Sequence, residues 1–228
     1  MLWTTPNPDK WVMTHSSIVP MTFAGERFYI YCGGSTSSGG VVGVSARDGR
    51  VLWKNEQWRV RTNVPAPVVV GPDMIFVSAG YGQSKYGCAM LRLVSDEGQI
   101  RANLEFLRPT KVFGSMQQTP ILYQGHLYGV SMDKQLVCLD LKGQVVWTST
   151  SANKFGFGPY MIARDRLYVM DDAGVLTMIE TTPAGYRPLA QAELFTNGVN
   201  TWGPMAMASG RLILRDLTRM ICVDMAYP

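Results

Sequence analysis

The segment from Pro120 to Trp147, PILYQGHLYGVSMDKQLVCLDLKGQVVW, holds four short apolar runs that are separated by turn residues. The first run follows the proline, the second contains Tyr128, the third is Leu136–Asp140, and the fourth ends at Trp147. Short runs that are rich in β-branched and aromatic side chains, divided by Gly or Asp turns, are typical of antiparallel strands. The segment therefore predicts one unit of four strands.

The first half of this unit occurs five times along the chain. In each copy a proline precedes, by 8 or 9 residues, an aromatic or apolar residue of the next run: Pro20 and Tyr29, Pro67 and Phe76, Pro120 and Tyr128, Pro159 and Tyr168, Pro204 and Ile213. Successive prolines are 39 to 53 residues apart. A period of this length that consists of strands and turns is typical of a β-propeller with one blade per repeat.

The later strands of the unit also recur, and no window has a convincing helical period of apolar residues. Third strands are predicted at Val41–Ser45, Leu136–Asp140, Leu176–Glu180 and Met220–Asp224, and fourth strands that end in tryptophan at Arg50–Trp53 and Gln144–Trp147. We therefore predict an all-β fold, a β-propeller of four-stranded antiparallel blades with about five blades' worth of strands.

The two ends of the chain suggest how the repeats are divided. Met1–Trp3 is similar to the fourth strand that ends at Trp53, and the last repeat stops after its third strand. We predict a single domain, 1–228, with residues 1–13 as the fourth strand of the last or a preceding blade. The repeats are predicted at roughly 14–58, 59–110, 111–150, 151–196 and 197–228. Two arrangements remain open: a ring closed at five blades, which removes exposed sheet edges, or a slice of a seven- or eight-bladed ring.

The repeat resembles the pyrroloquinoline-quinone-like (PQQ-like) propeller repeat of the quinoprotein alcohol dehydrogenase superfamily. The best matches are Gly40–Trp53 and His126–Trp147, and weaker ones extend from Trp3 to Asp224. The resemblance is nearest in character to the lipoprotein scaffold that takes part in outer-membrane protein assembly in bacteria. It implies that the tryptophans pack between blades, and it implies a periplasmic or exported protein.

Bulk properties exclude several classes of protein. The net charge is +4, and no run of five Lys or Arg occurs, so a nucleic-acid partner is not expected. No stretch of 18 apolar residues occurs, so we expect no transmembrane segment. Met1–Pro6 lacks the basic and apolar regions of a signal peptide, and a cytoplasmic location therefore stays open beside the periplasmic one.

The motifs of an enzyme are sparse. The resemblance implies that a working quinoprotein holds its quinone between a tryptophan and a disulfide of adjacent cysteines, with Ca²⁺ beside it. This chain has no adjacent cysteines, and its acidic pairs Asp96-Glu97 and Asp171-Asp172 fall in predicted turns, where Asp stabilises the backbone. His15 and His126 fit no triad. We expect no cofactor, with PQQ and Ca²⁺ as the alternative.

The four cysteines are predicted to be small apolar core residues. Cys138 and Cys222 occupy the same place in two third strands, and free cysteine packs well in such positions. No Cys-x-x-Cys motif supports a zinc or redox site. A disulfide between Cys32 and Cys88 is the alternative.

Recognition of a partner is the remaining function. The loops from the fourth strand of one blade to the first strand of the next lie on one face of a propeller, and here they are aromatic and basic. Trp and Arg are frequent anchors of interfaces. The predicted binding residues are Trp11, Trp58, Arg59, Arg61, Phe113, Lys154, Phe155, Asn200 and Trp202. Packing of the aromatic rings between blades is the alternative for each of them.

We therefore predict a non-catalytic scaffold that binds a protein, an extended peptide or a polysaccharide on this face. The alternative is an enzyme, either similar to the PQQ-dependent dehydrogenases or active on polysaccharides.

Overall fold

Nineteen strands form five antiparallel sheets in the computed structural model, which describes residues 1–35, 37–81 and 85–225. Sheets 1 and 2 contain β1 (Val19–Phe23), β2 (Glu26–Gly34), β3 (Gly39–Ser45) and β4 (Val51–Asn55), then β5 (Val68–Val69), β6 (Met74–Ser78), β7 (Cys88–Asp96) and β8 (Gln99–Arg108). Sheets 3 and 4 contain β9 (Ile121–Tyr123), β10 (His126–Val130), β11 (Leu136–Leu139) and β12 (Val145–Thr148), then β13 (Tyr160–Ala163), β14 (Arg166–Met170), β15 (Val175–Glu180) and β16 (Pro188–Glu193). Sheet 5 contains β17 (Ala206–Ala208), β18 (Arg211–Arg215) and β19 (Met220–Asp224).

In every sheet the spatial order of the strands follows the chain order. This is the arrangement of a propeller blade, and the predicted all-β propeller fold is confirmed. The described residues include no helix that is long and apolar enough to cross a membrane.

Alternation along the second strand of each sheet gives the propeller its cores. Phe76 packs towards sheet 3, whereas its neighbour Ile75 packs towards sheet 1. Tyr128 and Leu127 divide in the same way between sheets 4 and 2. Because successive side chains of a strand point to opposite faces, sheets 2, 3 and 4 each contribute to two cores, and sheets 1 and 5 contribute to one each. Four clusters result, which join sheets 1 and 2, 2 and 3, 3 and 4, and 4 and 5.

The repeated tryptophans lie in these cores, as the family resemblance implied. Trp53 is 4% exposed and meets Phe28 edge to face, with 5.9 Å between the ring centroids. The ring centroid of Trp147 lies 6.0 Å from that of Tyr128, and the indole N–H of Trp147 donates to the carbonyl oxygen of Thr182 at 2.8 Å. An aromatic pair of this kind adds about 0.5–1.5 kcal/mol beyond the apolar area that it buries.

The outermost strand of each four-stranded sheet pairs with a shift of register. In sheets 2, 3 and 4 the shift follows Met90, Cys138 and Met178, which pair with Phe76, Tyr128 and Tyr168 on their other side. In sheet 1 it follows Gly43. A bulge adds a residue on one strand, bends that strand and increases its twist. The outer strands β4, β8, β12 and β16 are therefore bent relative to their neighbours.

The prediction that residues 1–13 form a fourth strand of a blade is wrong. In the described part of the chain, sheet 5 has three strands, and no strand precedes Val19. The indole N–H of Trp3 instead donates to the carbonyl oxygen of Ala46 at 3.2 Å, and the Thr5 hydroxyl donates to that of Gly49 at 2.8 Å. Gly49 has φ = 75°, and a Cβ there would meet the Trp3 ring at 2.5 Å. These contacts hold the segment 3–18, called the strap below, across sheet 1.

Within residues 1–35, 37–81 and 85–225, nothing buries the centre of the outer face of sheet 5. Ile213 pairs with Cys222 at the centre of this face, and both side chains are exposed. Among the residues that the structure describes, no hydrophobic cluster joins sheet 5 to sheet 1.

Candidate functional site

Each sheet has its strands in chain order and antiparallel. The end of the fourth strand, the start of the first strand and the hairpin between the second and third strands therefore lie at the same end of the sheet. The connections between sheets and these hairpins thus share one end of the molecule. Hydrogen bonds join the two kinds of connection: Phe155 N donates to the Lys134 carbonyl at 2.7 Å, and Leu217 N donates to that of Val199 at 2.9 Å. The loop face is defined here by the described residues of the connections 56–67, 109–120, 149–159 and 194–205 and of these hairpins.

On the loop face, Asp172 contacts residues of three neighbouring sheets. Its Oδ1 accepts from the backbone N–H of Phe157 at 2.8 Å and from the indole N–H of Trp202 at 2.9 Å. Its Oδ2 lies 3.1 Å from Nζ of Lys134. Lys134 belongs to the β10–β11 hairpin, Asp172 to the β14–β15 hairpin, and Trp202 precedes β17. One carboxylate therefore connects sheets 3, 4 and 5.

The local sequence explains how Asp172 reaches three partners. The preceding residue, Asp171, closes the hairpin, because its Oδ1 accepts from the backbone N–H groups of Ala173, Gly174 and Val175 at 2.8–2.9 Å. This is the turn-stabilising role that the sequence predicted for Asp171. Gly156 has φ = 70°, and a Cβ there would lie 2.0 Å from the Asp172 carboxylate. Glycine at 156 thus allows the carboxylate to approach the neighbouring connection.

The side chains around Asp172 form a small aromatic and cationic surface. The rings of Phe157 and Trp202 meet edge to face at 5.5 Å, and Nζ of Lys134 lies 5.3 Å from the centroid of Phe157. Lys134, Phe157, Asp172 and Trp202 are called the Asp172 cluster below. All four are partly exposed. Because Asp172 already accepts three donors, the arrangement suits recognition by rings and an ammonium group held in fixed positions.

Three of the nine predicted binding residues lie in the cores between sheets. Trp58, Phe113 and Phe155 are 1%, 0% and 3% exposed. The ring of Phe113 packs against that of Phe76 with 6.3 Å between the centroids, and the ring of Phe155 packs against that of Tyr186 with 6.5 Å between them. They have no surface with which to contact a partner, so their assignment as binding residues is replaced by the packing alternative.

The other six predicted residues lie at or near the surface. Arg61, Lys154 and Asn200 are exposed on the loop face, and Arg59, two positions before Arg61, is half-buried. Trp202 belongs to the Asp172 cluster, whereas Trp11 belongs to the strap. Their role in binding stays a prediction. Lys134 and Asp172 are not among the predicted binding residues, and the acidic pair Asp171-Asp172 in a predicted turn is the sequence signal that points to Asp172.

The cysteines and acidic residues give no further centre. Cys32, Cys88 and Cys138 are buried free thiols, and Cys222 is an exposed one. Burial raises the pKa of Cys32 and of Cys88 to about 12 and that of Cys138 to about 11. Within residues 1–35, 37–81 and 85–225, no three His, Cys, Asp or Glu side chains are grouped so that they could hold a metal ion.

Two solved structures with a similar fold have little sequence identity with this chain. The crystal structure of BamB from Moraxella catarrhalis superposes with a TM-score of 0.61 at 15% identity, covering 96% of this chain and 60% of that one. The computationally designed Ika8 protein superposes with a TM-score of 0.58 at 9% identity, covering 93% of this chain and 57% of that one. The chain thus spans about 60% of the length of these structures. No curated protein sequence matches it.

A family model gives the relationship in sequence. The model described as "Outer membrane protein assembly factor BamB" matches residues 1–149, which is more than half of the chain. This match includes the two segments on which the PQQ-like repeat was recognised, Gly40–Trp53 and His126–Trp147. The chain belongs to the family of the outer membrane protein assembly factor BamB.

Proposed function

We propose that this chain is a non-catalytic scaffold that binds another protein on its loop face during outer-membrane protein assembly in the bacterial periplasm. The Asp172 cluster is the observation that carries the proposal. It holds two aromatic rings and an ammonium group on three sheets at once, and a binding constellation on rigid elements loses little entropy when the partner docks.

The charge at the rim of this face supports the same proposal. Lys154 is exposed in the same connection as Phe157, Arg61 is exposed in the connection between sheets 1 and 2, and the formal net charge of the chain is +4. Cations at the rim of an interface accelerate encounter with an acidic partner more than they stabilise the final complex. The partner expected is therefore a protein with an acidic surface, and membership of the assembly-factor family suggests another component of that assembly.

Photocrosslinking in a Gram-negative envelope tests this proposal. A photoreactive amino acid is placed at Lys154 on the loop face, or at Lys142, which is also exposed but lies in a turn at the opposite end of sheet 3. We expect adducts with an outer-membrane assembly protein from position 154 and none from position 142. Equal adducts at both positions, or adducts with unrelated proteins only, would contradict the proposal.

A thermal melt with PQQ and Ca²⁺ tests the enzyme alternative. At a ligand concentration of 100 times Kd, a cofactor that binds the native state alone stabilises it by about 2.7 kcal/mol. For a chain of this size that corresponds to a rise in Tm of about 5–10 °C. We expect no rise, and a clear one would replace the scaffold with a dehydrogenase.

A further inference from the structure

The strap and the outer face of sheet 1 enclose an apolar groove of about 490 Å³. Four aromatic rings line it, those of Trp3, Trp11, Tyr29 and Tyr31, and the valines of β3 and β4 complete its floor. This volume falls within the range of about 300–1,000 Å³ that is usual for small-molecule sites. The strap also exposes large apolar side chains next to the groove, with Val12 58% and Met13 82% exposed.

Hydrogen bonds hold the strap at both ends of the groove. At one end are the bonds of Trp3 and Thr5 described above. At the other, Gly34 N donates to the Val12 carbonyl and Thr14 N donates to the Tyr31 hydroxyl, both at 2.8 Å. A folded partner could reach the floor of the groove only if these bonds broke. A slender flexible chain can lie beneath the strap with all of them intact.

The positive charge of Lys54 at the groove favours an occupant with a negatively charged group at one end. Among the described residues that line it, Lys54 alone is charged. Asp9, which pairs with the Lys54 ammonium, is not part of the lining. An ammonium has three donors, so one carboxylate partner leaves capacity for a second anion at the rim.

We propose that the groove binds a free fatty-acid-type amphiphile, with its alkyl chain beneath the strap and its carboxylate beside Lys54. The aromatic and aliphatic lining removes the methylene groups from water, and this is the main favourable contribution to binding. No residue of the Asp172 cluster lines the groove, so its occupancy does not depend on the proposed scaffold function.

Quenching of tryptophan fluorescence by brominated fatty acids tests the proposal directly. Two of the six tryptophans, Trp3 and Trp11, line the groove. We expect saturable quenching below the micellar concentration, and its amplitude should fall in the variants Trp3→Phe and Trp11→Phe. Between eight and twelve carbons the affinity should rise about fourfold per methylene, equivalent to about 0.8 kcal/mol.

Variants that fill the groove provide the steric test. Val44→Phe and Val51→Phe add a ring to the floor, and Val145→Phe and Val146→Phe make the same change on the exposed strand β12. We expect at least a tenfold loss of decanoate affinity in the first pair and none in the second. Two independent floor positions guard against one variant that fails to fold. Unchanged affinity in both folded floor variants would overturn the proposal.

The choice of head group provides the electrostatic test. Decanoate should bind more tightly than decanol, and decanol more tightly than decyltrimethylammonium. Lys54→Gln should abolish this order, whereas Lys111→Gln, at an exposed lysine outside the groove, should preserve it. Equal binding of the three ligands by the unmodified chain would overturn the carboxylate assignment. Quenching by brominated phospholipid vesicles but not by the free acid would overturn the choice of ligand.

Discussion

Replacing Asp172 with alanine removes the acceptor that joins three sheets. The N–H groups of Phe157 and Trp202 each lose a charged acceptor at 2.8–2.9 Å, and a hydrogen bond to a charged group contributes about 1.5–3 kcal/mol. The lower figure applies because the Asp172 side chain is 35% exposed. The Lys134 ion pair adds about 0.2–1 kcal/mol. We expect a loss of about 3–4 kcal/mol in the free energy of unfolding.

Asparagine at the same position separates the two contributions. Asp172→Asn keeps an oxygen for both N–H donors and loses the ion pair, so it should cost about 1 kcal/mol. Urea denaturation followed by circular dichroism gives both values, provided that the slope m is unchanged. Asp133→Ala is the matched control, because Asp133 lies in the equivalent hairpin of sheet 3 and its bonds to Ser131 and Gln135 are local. If the two Asp172 variants were equally destabilised, the hydrogen-bond account would be refuted.

Three further predictions concern the cores, the pH response and the thiols. Phe113→Ala empties a site that is 0% exposed and should cost about 3–5 kcal/mol in urea denaturation; a loss below about 1 kcal/mol would contradict the inter-sheet core. The Arg219 side chain lowers the pKa of Asp216 from 3.8 to about 2, so this pair stabilises the fold above about pH 4 and its contribution is lost as the pH falls towards 2. The Tm of the unmodified chain should therefore fall more between pH 5 and pH 2 than that of Arg219→Gln, and equal falls would count against the pair. A disulfide reagent at pH 8 should modify one thiol in the native chain, four in urea, and none in native Cys222→Ser; reaction of a second native thiol would show that a buried cysteine is accessible.

The strands were predictable because their signals are local. Alternation, turn residues and the repeated proline define units such as Leu136–Asp140 and Met220–Asp224, and the structure has strands at Leu136–Leu139 and Met220–Asp224. The strap was not predictable in this way. Met1–Trp3 has the residue types of a fourth strand, but the contact of Trp3 with Ala46 and Gly49 depends on tertiary structure. Tertiary packing overrides local propensity at such positions.

The site was predicted less well than the fold, for a related reason. Loop aromatics have the same sequence signature whether they pack between sheets or face a partner. Phe113 and Trp202 both follow a strand and precede the next proline, yet Phe113 is buried and Trp202 is half-exposed. Burial of Phe113 depends on residues of the neighbouring sheets, which pack against it and lie in other repeats. Asp172 was missed as a connecting residue because its partners lie 15, 30 and 38 positions away.

The register shifts on the outer strands have a consequence for how the molecule meets its neighbours in a crowded compartment. A straight outer strand offers a continuous row of free N–H and C=O groups to which another chain can add, and such addition propagates into fibres. In all four four-stranded sheets the shift bends that strand, and β16 also begins with Pro188, which has no N–H to donate. The outer edges of these four sheets are thus poor templates for polymerisation, so the chain can present apolar and aromatic surfaces at its ends while these edges resist lateral growth.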